Sequence, residues 1–212
     1  LSDRDSDEVN LSDESYIFMK LATSRDNQGN EYDGHETMQL YIADQAKRGF
    51  TWFSTQALYY GMSPKRVAAY NKAISLGEKV TIIFAIGRTA GGNNDIAYKA
   101  NVLEIKSFTE PKSLSNDDYP AAWHGETARI WIKIEDLQPE STLKAQLFQI
   151  TSSGMDFHRK TMALSKISPV YSERHPTSAG WFFELMEVRV FTSLLERFLQ
   201  SATNMGSMAR CT

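Results

Sequence analysis

The chain has 212 residues, 42% apolar and 11% aromatic, with a formal net charge of −3; that suffices for one domain with a sizeable core, with or without tails. No apolar run reaches the ~18 residues a membrane span requires, and residues 1–15 lack the apolar segment of a signal peptide, so a soluble intracellular protein, nuclear or cytoplasmic and without a membrane partner, is expected. The one cysteine, Cys211, excludes an internal disulfide and a cysteine zinc cluster.

The charge is unevenly placed. Residues 1–14 hold six acids (Asp3, Asp5, Asp7, Glu8, Asp13, Glu14) against Arg4, a local balance of −5 that leaves +2 for the rest. Residues 1–15 therefore read as an acidic, Ser-rich, disordered leader, residues 16–201 as the domain and residues 202–212 as a tail. A mildly basic domain suits a local phosphate groove rather than strong, unspecific polyanion binding.

In chain order, Tyr16 to Leu21 predicts a first strand and the polar, Gly/Asn-rich residues 22–36 a loop. Thr37 is the expected cap of a helix running to Arg48, stopped by Gly49. Ser63-Pro64 is a helix start, a capping side chain followed by Pro at the first helical position, and Gly77 ends that helix. Val80 to Ile86 is β-branched, apolar and bounded by glycines, which predicts a central buried strand. Residues 87–95 are turn-rich; Arg88-Thr89-Ala90-Gly91-Gly92 lacks the Lys and helix of a phosphate loop and reads as a hairpin turn. Tyr98 to Ile105 and Ala128 to Ile134 predict further strands, the second with Ile130, Ile132 and Ile134 on one face and Trp131 on the other. Lys144 to Thr151 is a possible strand, residues 152–180 are irregular, and Glu184 to Gln200 has the spacing of an amphipathic helix. The β runs cluster in residues 78–151, which favours an α/β open barrel over a doubly wound sheet.

Catalytic constellations are thin. There is no GxSxG nucleophile elbow and no His-x-x-x-His pair, and His35, His124, His158 and His175 are scattered through loop-like segments. No catalytic residue, cofactor or metal is predicted, and an enzyme is not expected. The tryptophans say more. Trp131 and Trp181 read as core packing; Trp52 and Trp123 stand at loop edges beside Gly49 and Gly125, where a flat ring can serve as a wall for a nucleobase.

Several short motifs recur in a fixed order: Trp52-Phe53-Ser54-Thr55 just after Lys47-Arg48-Gly49, Pro64-Lys65-Arg66 with Ala69-Tyr70, the Val80–Ile86 strand, Val102 to Ser107, Trp123-His124-Gly125, and Ile130 to Ile134 followed by Glu135-Asp136-Leu137. This co-linear set, over roughly residues 16–200, resembles the YTH domain, a family of single-stranded RNA readers that bind N6-methyladenosine in an aromatic pocket. The resemblance implies an α/β fold, an open β-barrel of about six strands flanked by helices (YTH/PUA-like). It makes Trp52 and Trp123 pocket walls and gives the backbone just after Trp52, towards Phe53 and Ser54, the acceptor for the N6 N–H. An adenine flanked by two aromatic faces regains its stacking, worth ~1–3 kcal/mol.

The chain departs from the family at several positions. Ile42 stands where Asn or Asp is usual about ten residues before the first Trp, so Gln39 or Asp44 is left for that role. Asp118 replaces a cage aromatic, with Tyr119 beside it as a substitute; Asn101 replaces a Gly; and His175 replaces the Asp after Arg174. The resemblance assigns phosphate contacts to Lys20 and Arg174, with Lys65, Arg66 and Arg88 as further basic candidates. The implied partners are single-stranded mRNA and proteins of mRNA decay or processing. Two alternatives share the fold: a divergent YTH domain reading an unmethylated A-containing motif for selective (meiotic) mRNA elimination, and a modified-base DNA sensor of a restriction system. A protein-interaction domain is the reading from another class.

Overall fold

The computed structural model describes residues 15–59, 61–145, 148–150 and 186–190. Its centre is a mixed α/β assembly. Strand β1 (Ser15–Leu21) runs parallel to β5 (Thr81–Ile86), and β5 pairs antiparallel with β6 (Ile96–Lys112), β6 with β7 (Ala128–Pro139), and β7 with β4 (Thr51–Ser54). On the other side of β1 come β9 (Met186–Val190) and β8 (Phe148–Ile150), giving the order β4-β7-β6-β5-β1-β9-β8. The Val80–Ile86 run thus holds the central place its composition predicts, and the 87–95 connection joins two antiparallel neighbours. Among the described residues no pairing joins β4 to β8, so the row of strands is not closed into a barrel.

The side chains of β1 and β5 alternate between two apolar layers, as period-2 strands must. Ile17, Met19, Leu21, Ile82, Phe84 and Ile86 join the larger core, which also takes Met38 and Tyr41 from helix α1 (Gly34–Arg48) and Tyr70 and Ala73 from α2 (Pro64–Ser75). Phe18, Ile83 and Ala85 face the other way, against Ile96, Ala145 and Phe148. On β7 both Ile130, Ile132, Ile134 and the opposite-facing Trp131 belong to the larger core, so that core wraps around the strand. Trp131 is fully buried, as expected of core packing.

Local chemistry explains the helix limits and corrects one of them. Ser63 caps α2 and Pro64 takes its first turn, as predicted. Helix α1 starts at Gly34, not beside Thr37. Asp33 and Glu36 form a capping box that satisfies two orphan N–H groups, whereas the Thr37 hydroxyl donates to the Asp33 carbonyl and shares a hydrogen bond with Ser24. Gly49, at φ 84°, ends the helix. Residues 22–36 are not simply a loop: β2 (Ser24–Arg25) and β3 (Glu31–Tyr32) make a hairpin whose turn is tied by Asp26, accepting from Gln28 N, Asn30 N, Asn30 Nδ2 and the Tyr32 hydroxyl.

A second correction concerns Glu184 to Gln200. Met186–Val190 is a strand, because the outer edge of β1 needs hydrogen-bond partners that a helix cannot supply; residues 191–200 lie outside the described residues, as does Trp181. No helix among the described residues is long and apolar enough to cross a membrane.

Candidate functional site

A small pocket opens where the end of β1, helix α1, the end of β4 and the turn at Trp123 converge; Leu21, Tyr41, Phe53, Ser54, Gln56 and Trp123 line most of it. Three aromatic rings shape it. Tyr41 and Trp123 stack with centroids 5.1 Å apart and planes within 8°, and Phe53 tilts against Tyr41 at 4.8 Å. Tyr32 of the hairpin meets Trp123 edge-on at 6.0 Å, while the Asn27 side chain donates to the carbonyl of His124 next door. With the two rings stacked the cavity is about 10 Å³, room for one water.

The floor is held by unusual backbone. Gln56 has φ 53°, the left-handed region that a non-glycine residue seldom adopts. Its N–H donates to Ser54 Oγ, and Thr55 anchors the segment by donating both N–H and Oγ1–H to the Ile130 carbonyl. The Ser54 N–H points to the Tyr41 hydroxyl at 3.4 Å, a long bond that ties β4 to α1.

Polar groups of the lining and just beside it are incompletely satisfied. Among the described residues, Trp123 Nε1, Gln56 Oε1 and Glu126 Oε2 are buried and have no hydrogen-bond partner, although buried polar atoms are normally paired. Glu126 follows the Trp123 turn, its N–H donating to the Trp123 carbonyl. Burial pushes its carboxyl up to about 7, against the opposing effect of hydrogen bonds from the Gln56 and Ser54 side chains. Tyr41 is also raised well above the ordinary phenol value, by burial first and then by the charge of Glu126.

Phe53, Ser54 and Trp123, all expected at the site, line this pocket. Trp52 does not. It stands on β4, not on a turn, and neighbouring strand residues point to opposite faces, so Phe53 inside places Trp52 outside. Trp52 is 4% exposed, with the Lys106 ammonium 4.3 Å from its ring centre. Tyr119 is likewise a core pillar and no pocket wall: it is 1% exposed, tilts against Trp131 at 4.9 Å, and its hydroxyl bonds Ser113, Asn116 and the Gly125 N–H. Of the two candidates on α1, Gln39 is exposed, and Asp44 is buried and engaged by Arg48 and Thr51. Neither lines the pocket; Tyr41 does instead.

Two of the expected phosphate-binding cations come together. Lys20 is the penultimate residue of β1, next to the pocket residues Leu21 and Ala22, and Arg88 begins the turn after β5. The Lys20 ammonium is pushed below its usual value by burial and then by the neighbouring Arg88 charge. This pair of like charges is brought close by the parallel register of Leu21 with Ile86. Gly87 permits it: a Cβ there would approach the Leu21 carbonyl to 2.9 Å. Lys65 and Arg66 lie on α2, none of whose residues line the pocket. Arg174 lies outside the described residues.

Sequence reasoning missed Tyr41, Gln56 and Glu126. Tyr41 carried a usable signal: with Met38 and Thr37 it forms the buried stripe of α1. Gln56 and Glu126 carried none, since their importance comes from tertiary burial. No protein-family model, curated protein or solved structure matches this chain significantly.

Proposed function

We propose that the protein is a single-stranded RNA-binding module of YTH type that holds one adenosine against Tyr41, Phe53 and Trp123, with Lys20 and Arg88 beside the phosphates. The observation that carries this reading is an aromatic pocket lined by Tyr41, Phe53 and Trp123, with unpartnered polar atoms on Gln56 and Trp123; the neighbouring cations Lys20 and Arg88 add to it, Lys20 directly preceding the lining residue Leu21. Aromatic faces take any base, cations track the backbone, and polar groups choose the edge. The base enters as Trp123 swings away from Tyr41; stacking on the base replaces the ring–ring attraction between them, ~0.5–1.5 kcal/mol. On this reading the sheet curls towards an open barrel, which the register shifts in the β6–β7 pair and the core wrapped around β7 support.

One observation favours the unmethylated version of this function. Neither Gln39 nor Asp44, the α1 candidates for the family's contact to the purine ring, lines the pocket.

The test is anisotropy titration of short RNAs carrying one adenosine or N6-methyladenosine in an otherwise uridine strand, with thermal melting alongside. Trp123→Ala is expected to weaken adenosine-dependent binding by ~1–3 kcal/mol, and Trp123→Phe to retain most of it while keeping the fold. A wild type that binds the adenosine strands no better than the uridine strand refutes the pocket. Preference for the methylated strand by at least about tenfold, ~1.4 kcal/mol, would restore the methyl-reading version.

A further inference from the structure

Three unpartnered atoms at or beside the pocket differ in kind: two belong to the lining residues Gln56 and Trp123, and the third to Glu126, which follows the Trp123 turn and acts on Gln56 and Ser54 from outside the lining. Gln56 Oε1 can only accept and Trp123 Nε1 can only donate, whereas Glu126 Oε2 accepts when ionised and donates when protonated. Glu126 is therefore the one group of the three whose role changes with its protonation. Its sequence neighbours do not neutralise it: His124 has its ring against Tyr119, and the Arg129 guanidinium donates to the Tyr59 carbonyl. The groups that act on it are the Gln56 and Ser54 side chains, which bond it, and the ionisable group coupled to it from α1 is the Tyr41 phenol. Asp44, further along α1, acts on Tyr41 and is itself held by Arg48 and Thr51.

We infer that Glu126 selects the base edge by its protonation state: protonated, its Oε2–H donates to a purine ring nitrogen while the adjacent exocyclic amino group donates to Gln56 Oε1, the edge of adenine; ionised, it joins Gln56 Oε1 as a second acceptor and fits the paired N–H donors of guanine. This rests on the base-binding reading above and names the group that sets its specificity. The proton is exchanged with solvent, so adenine binding carries proton uptake and guanine binding carries proton release. A carboxyl raised to about 7 by burial is in the range where a modest pH change exchanges the two forms. Trp123 Nε1 remains as a donor for either purine.

The experiment uses the full chain and uridine strands carrying a single central adenosine or guanosine, titrated at pH 6, 7 and 8. Adenosine binding is expected to weaken about tenfold from pH 6 to pH 8, as the protonated fraction falls from about nine-tenths to about one-tenth, while guanosine binding strengthens. Glu126→Gln fixes a donor N–H beside an acceptor oxygen. It should hold adenosine binding at the pH 6 level throughout and abolish the rise for guanosine. Glu126→Ala should bind both weakly with no pH trend, and melting curves confirm that each variant is folded. Wild-type adenosine binding that is flat from pH 6 to pH 8, yet still lost in Trp123→Ala, overturns the role of Glu126 and leaves the pocket standing. Binding that ignores base identity at every pH overturns the pocket reading itself.

Discussion

Replacing Glu126 by Gln should stabilise the free protein at neutral and alkaline pH. The carboxyl is raised from an ordinary value of 4.5 to about 7 by burial beside Trp123, Ser54 and Gln56. Between those two values the folded state holds a proton that the unfolded chain releases, so stability falls as pH rises through that window and stays low above it. At ~1.4 kcal/mol per unit the full penalty is about 3 kcal/mol, reached near pH 8 and absent near pH 4.5. Glutamine keeps the size of the side chain and an acceptor oxygen but carries no charge, so the variant should lack this pH dependence. Urea unfolding of both proteins at pH 5, 6, 7 and 8 reads the difference directly. The expected result is an advantage for the variant of under ~1 kcal/mol at pH 5 that grows to ~3 kcal/mol at pH 8, the latter some 6–12 °C in Tm for a domain of this size. A difference that does not change with pH, or a wild type that gains stability between pH 5 and pH 7 relative to the variant, would refute the burial argument.

Two further outcomes separate packing from binding. Trp52→Ala should lower stability by ~3–5 kcal/mol, because the ring is 4% exposed and capped by Lys106; melting shows the loss, and the fraction still folded should bind adenosine strands as the wild type does. Weakened binding with unchanged melting would make Trp52 a pocket wall after all. Arg88→Glu should weaken strands of every sequence evenly and reduce the slope of log K against log salt by at least ~0.7, the share of one phosphate contact on a single strand. An unchanged slope would place Arg88 off the path of the backbone.

The elements legible in the sequence are those that local chemistry defines. Ser63-Pro64 and Gly77 bracket α2, Gly49 stops α1, and the β-branched run ending at Ile86 is the central strand. The capping box of Asp33 and Glu36 is equally present in the sequence, but Thr37 competes as a cap until tertiary structure gives its hydroxyl to the Asp33 carbonyl and Ser24. Met186–Val190 reads as helix from sequence because a short β-branched run satisfies both periods; what decides is β1, far away in sequence, with an edge to be paired.

The site divides along the same line. Motif order is enough to bring Phe53, Ser54 and Trp123 to one pocket, yet it places Trp52 beside them. A strand shows its neighbours to opposite faces, and shifting the reading by one residue exchanges every side chain between core and pocket. Nothing in Trp52-Phe53 says which ring faces Tyr41; the pairing of Phe53 with Ile132 on β7 settles it. Glu126 lies beyond reach for a different reason. An acidic residue after Gly125 looks like any solvated loop charge, and only the fold shows Oε2 buried beside an aromatic stack with no donor to meet it. A domain optimised for stability alone would have no use for such a group, since a neutral side chain there would avoid the penalty of up to ~3 kcal/mol at alkaline pH. Local conflict with the rules of packing is a mark of functional or strained positions, and here the conflict sits beside the aromatic pocket, where a base edge would supply the missing partners.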